Sequence, residues 1–317
     1  MAVELTNTPI CRLCGRGPLR ARLSFSGAAG SLTGEFRLVS CDNCGTWQVN
    51  PHPGPKLAQS YFNRPELWAK TLDPEGRPVS LLERSQGRAQ EYRIYAQAMT
   101  PFLPERGLLL DIGAGTGLML SLLPDNRPKL AVEPNPVAAE AARERGLEVS
   151  REWAENLTFP KVPIGAIILN QTLDHLPRPD LFLSRALSWL SPGGLTLITG
   201  LINPLSLPAR VYGPRHRLWS PWHQIYPPLA AVTGLLKAQG LEILEVWRPY
   251  FVTPFGGPWN LTRASLKILA TLIRRPRPGA VSPPWPGNVY SLLARKNLLL
   301  QPLKVPSPQA APLASQY

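Results

Sequence analysis

The sequence predicts an α/β fold, a largely parallel sheet with helices on both faces, preceded by a small module. Three observations lead there. Apolar runs of strand length alternate with helix-length segments from Gly107 onward. A glycine-rich turn, Asp111-Ile112-Gly113-Ala114-Gly115-Thr116-Gly117, stands between Leu108-Leu109-Leu110 and Leu118-Met119-Leu120. All four cysteines fall in two Cys-x-x-Cys pairs near the N-terminus. With 317 residues and 44% hydrophobic content, the chain suffices for one large domain and a small one.

The small module spans 1–50. Cys11/Cys14 and Cys41/Cys44 are each followed by a glycine, Gly15 or Gly45. Such a turn aims two thiolates at one ion. Two of them, about a hairpin apart, complete a tetrahedral site of four thiolates, the ligand set of a zinc ribbon. Leu23-Ser24-Phe25 and Glu35-Phe36-Arg37-Leu38-Val39 are the expected hairpin strands. With every position filled, no water can be activated, so Zn2+ here is structural and folds about fifty residues that have little core of their own. His52 is near in sequence but not needed as a ligand. Two disulfides are the competing reading. Met1–Ile10 has no basic region followed by an apolar core, so nothing points to secretion, and a soluble cytoplasmic protein is the expectation.

Residues 51–106 read as a helical linker, in which Tyr61, Phe62 and Trp68 serve either as packing residues or as a lid. The main domain is expected over 107–300. Its strands fall at 107–112, 129–133, 147–150, 166–170, 195–199, 241–247 and 289–294, and its helices at 117–123, 134–145, 180–190 and 228–239. Ala186 to Ala209 carries no charge, but Pro192, Gly193, Gly194, Pro204 and Pro208 interrupt it and exclude a spanning helix. The tail, 301–317, is rich in Pro, Ala and Ser and is expected to be disordered.

The glycine turn carries the strongest functional signal. A turn this tight lets a ligand lie almost on the main chain. Glu133 ends the next strand, where a carboxylate can accept hydrogen bonds from a ribose diol. Nicotinamide and flavin folds favour G-x-G-x-x-G with a pyrophosphate on the helix N-terminus. Here the spacing is G-x-G-x-G and Asp111 precedes it, which suits a cationic ligand better. The pattern D-x-G-x-G-x-G followed by Glu133 resembles the class I S-adenosylmethionine (SAM) methyltransferases. So do Leu173-Asp174-His175-Leu176 and Leu190-Ser191-Pro192-Gly193-Gly194. The resemblance implies a Rossmann-like seven-stranded methyltransferase sheet whose last strand inserts antiparallel. It also implies SAM as cofactor, with Asp111, Gly113, Gly115 and Gly117 at the amino-acid end, Glu133 on the ribose, and Trp153, Ala154 and Glu155 near the adenine. The family often has Asp where this chain has Trp153. Asn170 and Gln171 would end the strand that faces the methyl group. The cysteine pairs, Asn50-Pro51, Tyr61-Phe62 and Gly287-Asn288-Val289-Tyr290 resemble a narrower bacterial group with a zinc-binding N-terminal domain that includes sugar C-methyltransferases.

Methyl transfer to a hydroxyl or carbon acid needs a base. His175, just after the fourth strand, is the first candidate, with a helix-capping or structural role as its alternative. His216 and His223 lie in an insertion, 212–223, rich in Trp and Arg, which suits an anionic or aromatic acceptor or else forms a bare surface loop. Asp174 is expected to be solvated. The leading reading is a methyltransferase acting on oxygen or carbon of a small molecule, such as a sugar nucleotide or a secondary or lipid metabolite. An rRNA base methyltransferase with a zinc module competes, supported by the net charge of +13. Against nucleic acid stand Asn170-Gln171-Thr172-Leu173, which is not Asn/Asp-Pro-Pro-Tyr, and the lack of a dense Lys/Arg stripe in the ribbon. A non-catalytic scaffold is the third. The basic residues, mostly Arg and scattered along the chain, equally fit a compositional bias. Residues 260–275 carry Leu261, Ile268, Leu269, Leu272 and Ile273 at helical spacing, either packed on the core or lying on an anionic membrane as a peripheral contact.

Overall fold

Seven strands hydrogen-bond in the spatial order Glu148–Ser150, Lys129–Val132, Leu108–Ile112, Ile164–Asn170, Leu190–Ile202, Val289–Lys296 and Leu241–Trp247. The first five pair in parallel, and Val289–Lys296 runs antiparallel to both of its neighbours. This is the sheet implied by the resemblance. The computed structural model describes residues 5–29, 32–69, 71–72, 78–124, 126–158, 161–253, 256–274 and 280–298. The tail expected over 301–317 lies outside them.

Helices on both faces explain the strand sequences. All five residues of Leu108–Ile112 are buried, as are the first six of Ile164–Asn170, so these strands read as continuous apolar runs rather than alternating ones. The charge-free stretch after Ala186 has the same cause: most of it is the strand Leu190–Ile202, which sits inside the sheet. Helix Pro136–Arg143 begins where Pro can donate no hydrogen bond and none is required. The Asn135 side chain caps it by accepting from the amides of Val137 (3.0 Å) and Ala138 (3.4 Å). Its buried face is Ala138, Ala139 and Ala142, small enough for the helix to sit close to the glycine turn. The helix expected over 117–123 is reduced to Leu118–Ser121.

The ribbon contains the hairpin Leu19–Ala29 and Leu32–Cys41, with Trp47–Val49 alongside. A fourth strand comes from far away: Ile225–Tyr226 pairs antiparallel with Trp47–Val49. Phe25, Phe36, Leu38 and Val49 share one apolar cluster with Trp219, Trp222 and Tyr226. Arg12 is buried at the same boundary, its guanidinium donating to the carbonyl of Pro177 and to Gln224 Oε1, while its own carbonyl accepts from the Asp180 amide at 3.1 Å. The ribbon thus continues into the main domain through the insertion.

Helix Pro258–Ile273 rests on the short helix Leu207–Tyr212, with Tyr212 Oη against Lys267 O and Thr271 Oγ1. It buries only Ala264 and Ile268 and half-buries Leu261 and Thr271. Leu269, Leu272 and Ile273, part of the stripe read from the sequence, face outward. Arg275 lies outside the described residues.

Candidate active site

A cleft of about 440 Å3 opens at the C-terminal edge of the parallel strands, where such folds place their ligands. Gly113, Gly115, Glu133, Ala154, Glu155 and Asn170 line it, together with Trp153, Gln171, His175 and His223. Asp111 and Gly117 do not. Gly117 starts the short helix, and Asp111 is fully buried at the end of its strand.

The cleft has two ends. At the first, the glycine turn crosses above the sheet edge. Gly115 has φ +55, and a Cβ there would stand 2.8 Å from the indole of Trp68, so only glycine fits between the turn and that ring. Glu133 accepts from the amide of Gly115 at 2.8 Å and from that of Asn135 at 2.9 Å. Burial lifts the Glu133 carboxyl to about 7 against the pull of those two amides. Burial, joined by the nearby Glu133 charge, lifts Asp111 to about 8. Neither carboxylate oxygen of Asp111 has a hydrogen-bond partner among the described residues. An orphaned buried acid next to a second buried acid is the environment a cationic ligand relieves. The amino group and sulfonium of SAM fit that requirement.

Asn135 also fixes the segment that carries Tyr61, Phe62 and Trp68. Its Nδ2 donates to the carbonyls of Phe62 (2.8 Å) and Arg64 (3.0 Å), tying 61–68 to the loop after Glu133. Ser85 Oγ meets Thr116 Oγ1 at 2.9 Å and ties the next helix to the glycine turn. Tyr61, Phe62 and Trp68 line the cleft, as do Arg84 and Arg88.

At the second end, Asp174, His175 and His223 come together. His223 Nδ1 donates to Asp174 Oδ2 at 2.7 Å, and His175 Nδ1 donates to the Trp222 carbonyl at 2.9 Å. A carbonyl and a carboxylate only accept, so in its neutral form each imidazole carries its proton on Nδ1 and leaves Nε2 open. The rings are 4.5 Å apart, and Phe62 meets His175 edge-on at 5.1 Å. Asp174 is 1% exposed, not solvated as the sequence suggested. Burial would raise its carboxyl, but His175, His223 and the His223 hydrogen bond outweigh that and hold it below the ordinary carboxylate value. Burial lowers His175, against the attraction of Asp174. The three side chains offer ligand atoms within 4.8 Å of one another, close enough to share a cation. With both Nδ1 atoms engaged, the cluster suits proton handling better. Gln171, at the strand end beside it, has φ +55, a strained conformation typical of functional sites.

His216 is not brought to the cleft. It is buried, with Nδ1 against Ser282 Oγ at 2.8 Å, and desolvation holds it down to about 3. Trp222, one of the two tryptophans noted in the insertion, stacks on Tyr61 at 3.8 Å; the sequence did not single out Gln224, whose backbone amide donates to the Asp174 carbonyl at 2.7 Å. No local motif marks Gln224 or the partner of Trp222, since each acts through a residue far off in sequence.

The four cysteines converge at the ribbon's base. Cys11 Sγ lies 3.6 Å from Cys44 Sγ, and Cys14 Sγ 3.7 Å from Cys41 Sγ. A tetrahedron with Zn–S near 2.3 Å has sulfur–sulfur edges of about 3.8 Å. The Gly15 and Gly45 amides each donate back to the first cysteine carbonyl of the pair at 2.9 Å. These repeated turns are compatible with a zinc ribbon.

The family described as a methyltransferase domain matches residues 84–246, which take in the glycine turn, Glu133, Asp174, His175 and His223. A ubiquinone biosynthesis O-methyltransferase of Azorhizobium caulinodans is 28% identical over 173 residues, covering 50% of this chain and 68% of that protein. A SAM-dependent methyltransferase structure from Thermotoga maritima is 22% identical with TM-score 0.45, covering 68% of this chain and 94% of the other. The plantazolicin methyltransferase in complex with SAH is 16% identical with TM-score 0.42, covering 68% and 84%.

Proposed function

The chain belongs to the methyltransferase-domain family and is a SAM-dependent methyltransferase, and from that premise we propose that it methylates a hydroxyl oxygen, or an acidic carbon, of a small-molecule acceptor. The observation that carries the acceptor class is the His223–Asp174 hydrogen bond at the cleft wall. A hydroxyl must lose its proton as the methyl group arrives, and an amine has less need of a base. Bound SAM supplies an electrophilic methyl group on a sulfonium that leaves readily. Gly113, Gly115 and Glu133 would hold it, with the buried Asp111 charge nearby, Ala154 and Glu155 on the adenine side and Asn170 at the strand end. The chain's own work is to exclude water and move a proton. His223 takes that proton on Nε2, and Asp174 fixes its tautomer and stabilises the imidazolium. His175 presents a second Nε2 beside it.

The aromatic wall of Tyr61, Phe62 and Trp222 favours a flat acceptor. The curated relative's name specifies O-methyl transfer, which agrees with a hydroxyl acceptor. Cys11, Cys14, Cys41 and Cys44 hold structural Zn2+ on this reading. The test is single-turnover transfer from labelled SAM to a panel of phenolic, sugar and amine acceptors. Transfer to hydroxyls that drops at least about a hundredfold in His223→Ala, with calorimetric SAM affinity kept, is the expected result. Transfer to amines alone, or a wild-type rate in the variant, removes the base from the reading.

A further inference from the structure

We infer that helix Pro258–Ile273 is a surface that docks on an anionic lipid bilayer, lying in the interface rather than crossing it. The helix is held to the protein by a narrow stripe: Ala264 and Ile268 are buried, Leu261 and Thr271 half-buried. Its opposite side is apolar and open to solvent. Trp259, Leu266 and Ile273 recur every seventh residue and so stand in line, 80%, 62% and 73% exposed, with Leu269 beside them at 54%. Arg263, Lys267 and Arg274 form the adjoining stripe, also exposed.

Charge selects the occupant. No acidic residue lies on the helix, and none follows Glu245 to the end of the chain. Over that same stretch the sequence carries Arg248, Arg263, Lys267, Arg274, Arg275, Arg277, Arg295, Lys296 and Lys304. Those nine positive charges are most of the net +13, although Arg295 pairs with Glu242 and Lys296 donates to the Leu190 carbonyl, which leaves Arg263, Lys267 and Arg274 as the charges at the helix itself. A tryptophan and aliphatic side chains on one face, flanked by Arg and Lys with no acidic residue on the helix, match an interfacial helix on anionic lipid headgroups. No helix among the described residues is long and apolar enough to cross a membrane. The face is also separate from the cofactor end, because none of its residues lines the cleft.

The inference does not depend on the acceptor class. It is tested by co-sedimenting the full chain with phosphatidylcholine vesicles and with the same vesicles containing about a third phosphatidylglycerol. The chain should partition onto the anionic vesicles and be released by salt. The exposed-site pair Leu266→Glu/Ile273→Glu should lower that partitioning at least about tenfold. Arg263→Gln/Lys267→Gln/Arg274→Gln should reduce it toward the level seen on neutral vesicles. Circular dichroism and calorimetric SAM affinity should stay at wild-type values in both, which separates this outcome from misfolding or a failed cofactor site. Absence of wild-type binding to anionic vesicles overturns the inference. So does undiminished binding by the glutamate pair. A concentration-dependent dimer, split by Leu266→Glu, would assign the face to a second copy of the chain instead.

Discussion

Asp111 and Asp174 are both essentially inaccessible to solvent and neither lines the cleft, yet they back its two ends in opposite electrostatic states. Asp111 has no hydrogen-bond partner for either oxygen, and desolvation with the Glu133 charge raises its carboxyl to about 8. Asp174 holds the His223 imidazole at 2.7 Å and stays below the ordinary carboxylate value. Burial is common to both. The difference is whether the protein supplies the compensating partner or leaves it to a ligand. On the proposed reading, one end is a socket for a cation and the other holds a base. The ends also differ in what supports them. The glycine turn, Glu133 and Asn135 come from one short stretch of chain, whereas the Asp174–His223 end is held by the ribbon through Arg12, Gln48 and the pairing of Ile225–Tyr226 with Trp47–Val49.

The harshest way to break this contrast is to remove the proposed metal. The expected content is one zinc per chain, and Cys41→Ser or a chelator should cost much of the roughly 10 kcal/mol or more that structural zinc contributes. Turnover should collapse because the insertion loses its support, while SAM affinity falls far less. Metal analysis, turnover and calorimetry on the same sample decide it; unchanged turnover in the metal-free protein would show that the acceptor end stands without the ribbon.

His223→Ala and Asp174→Asn come next, each expected to lower turnover by about 10²–10³ with little change in SAM affinity. His175→Ala should cost less than His223→Ala, and the reverse ranking would transfer the base role to His175.

Asp111→Asn sharpens the contrast from the socket end. SAM affinity should fall about ten- to a hundredfold, the loss of a buried negative charge close to the cationic ligand rather than of a direct contact. Stability of the SAM-free protein should move the other way. The folded carboxyl titrates near 8 and the unfolded one near 3.8, so between these values the native state keeps a proton that the unfolded chain has lost. Wild-type stability therefore falls as pH rises through that window, and the asparagine removes part of the loss. Melting curves at pH 4 and pH 8 should show the variant gaining on wild type only at the higher pH. Equal melting shifts at both would mean that Asp111 is already paired.

The smallest effect is steric. Gly115→Ala should cost about 1 kcal/mol from its positive φ and more from the Trp68 ring, and Trp68→Ala should recover the second part but not the first. Thermal melts of the two single variants and the double measure the coupling.

Local chemistry was enough to locate the glycine turn and the acid that bonds to it. Glycine spacing with an acid before it and Glu133 after it specifies a tight strand–helix turn, because positive φ and close backbone approach are demands met within a few residues. The two Cys-x-x-Cys-Gly turns were legible for the same reason, and the buried strands showed as apolar runs with helices between them. The sequence left three features to the tertiary structure. Asp174 looked solvated because nothing local says that His223, far along the chain, will meet it. Ile225–Tyr226 is too short to announce a strand, and only Trp47–Val49 makes it one. In 258–273 the helical period was visible, but the apolar residues split between a thin buried stripe and an open face. Periodicity determines which residues share a side of a helix. Which side finds a partner depends on contacts between segments that the chain brings together only on folding.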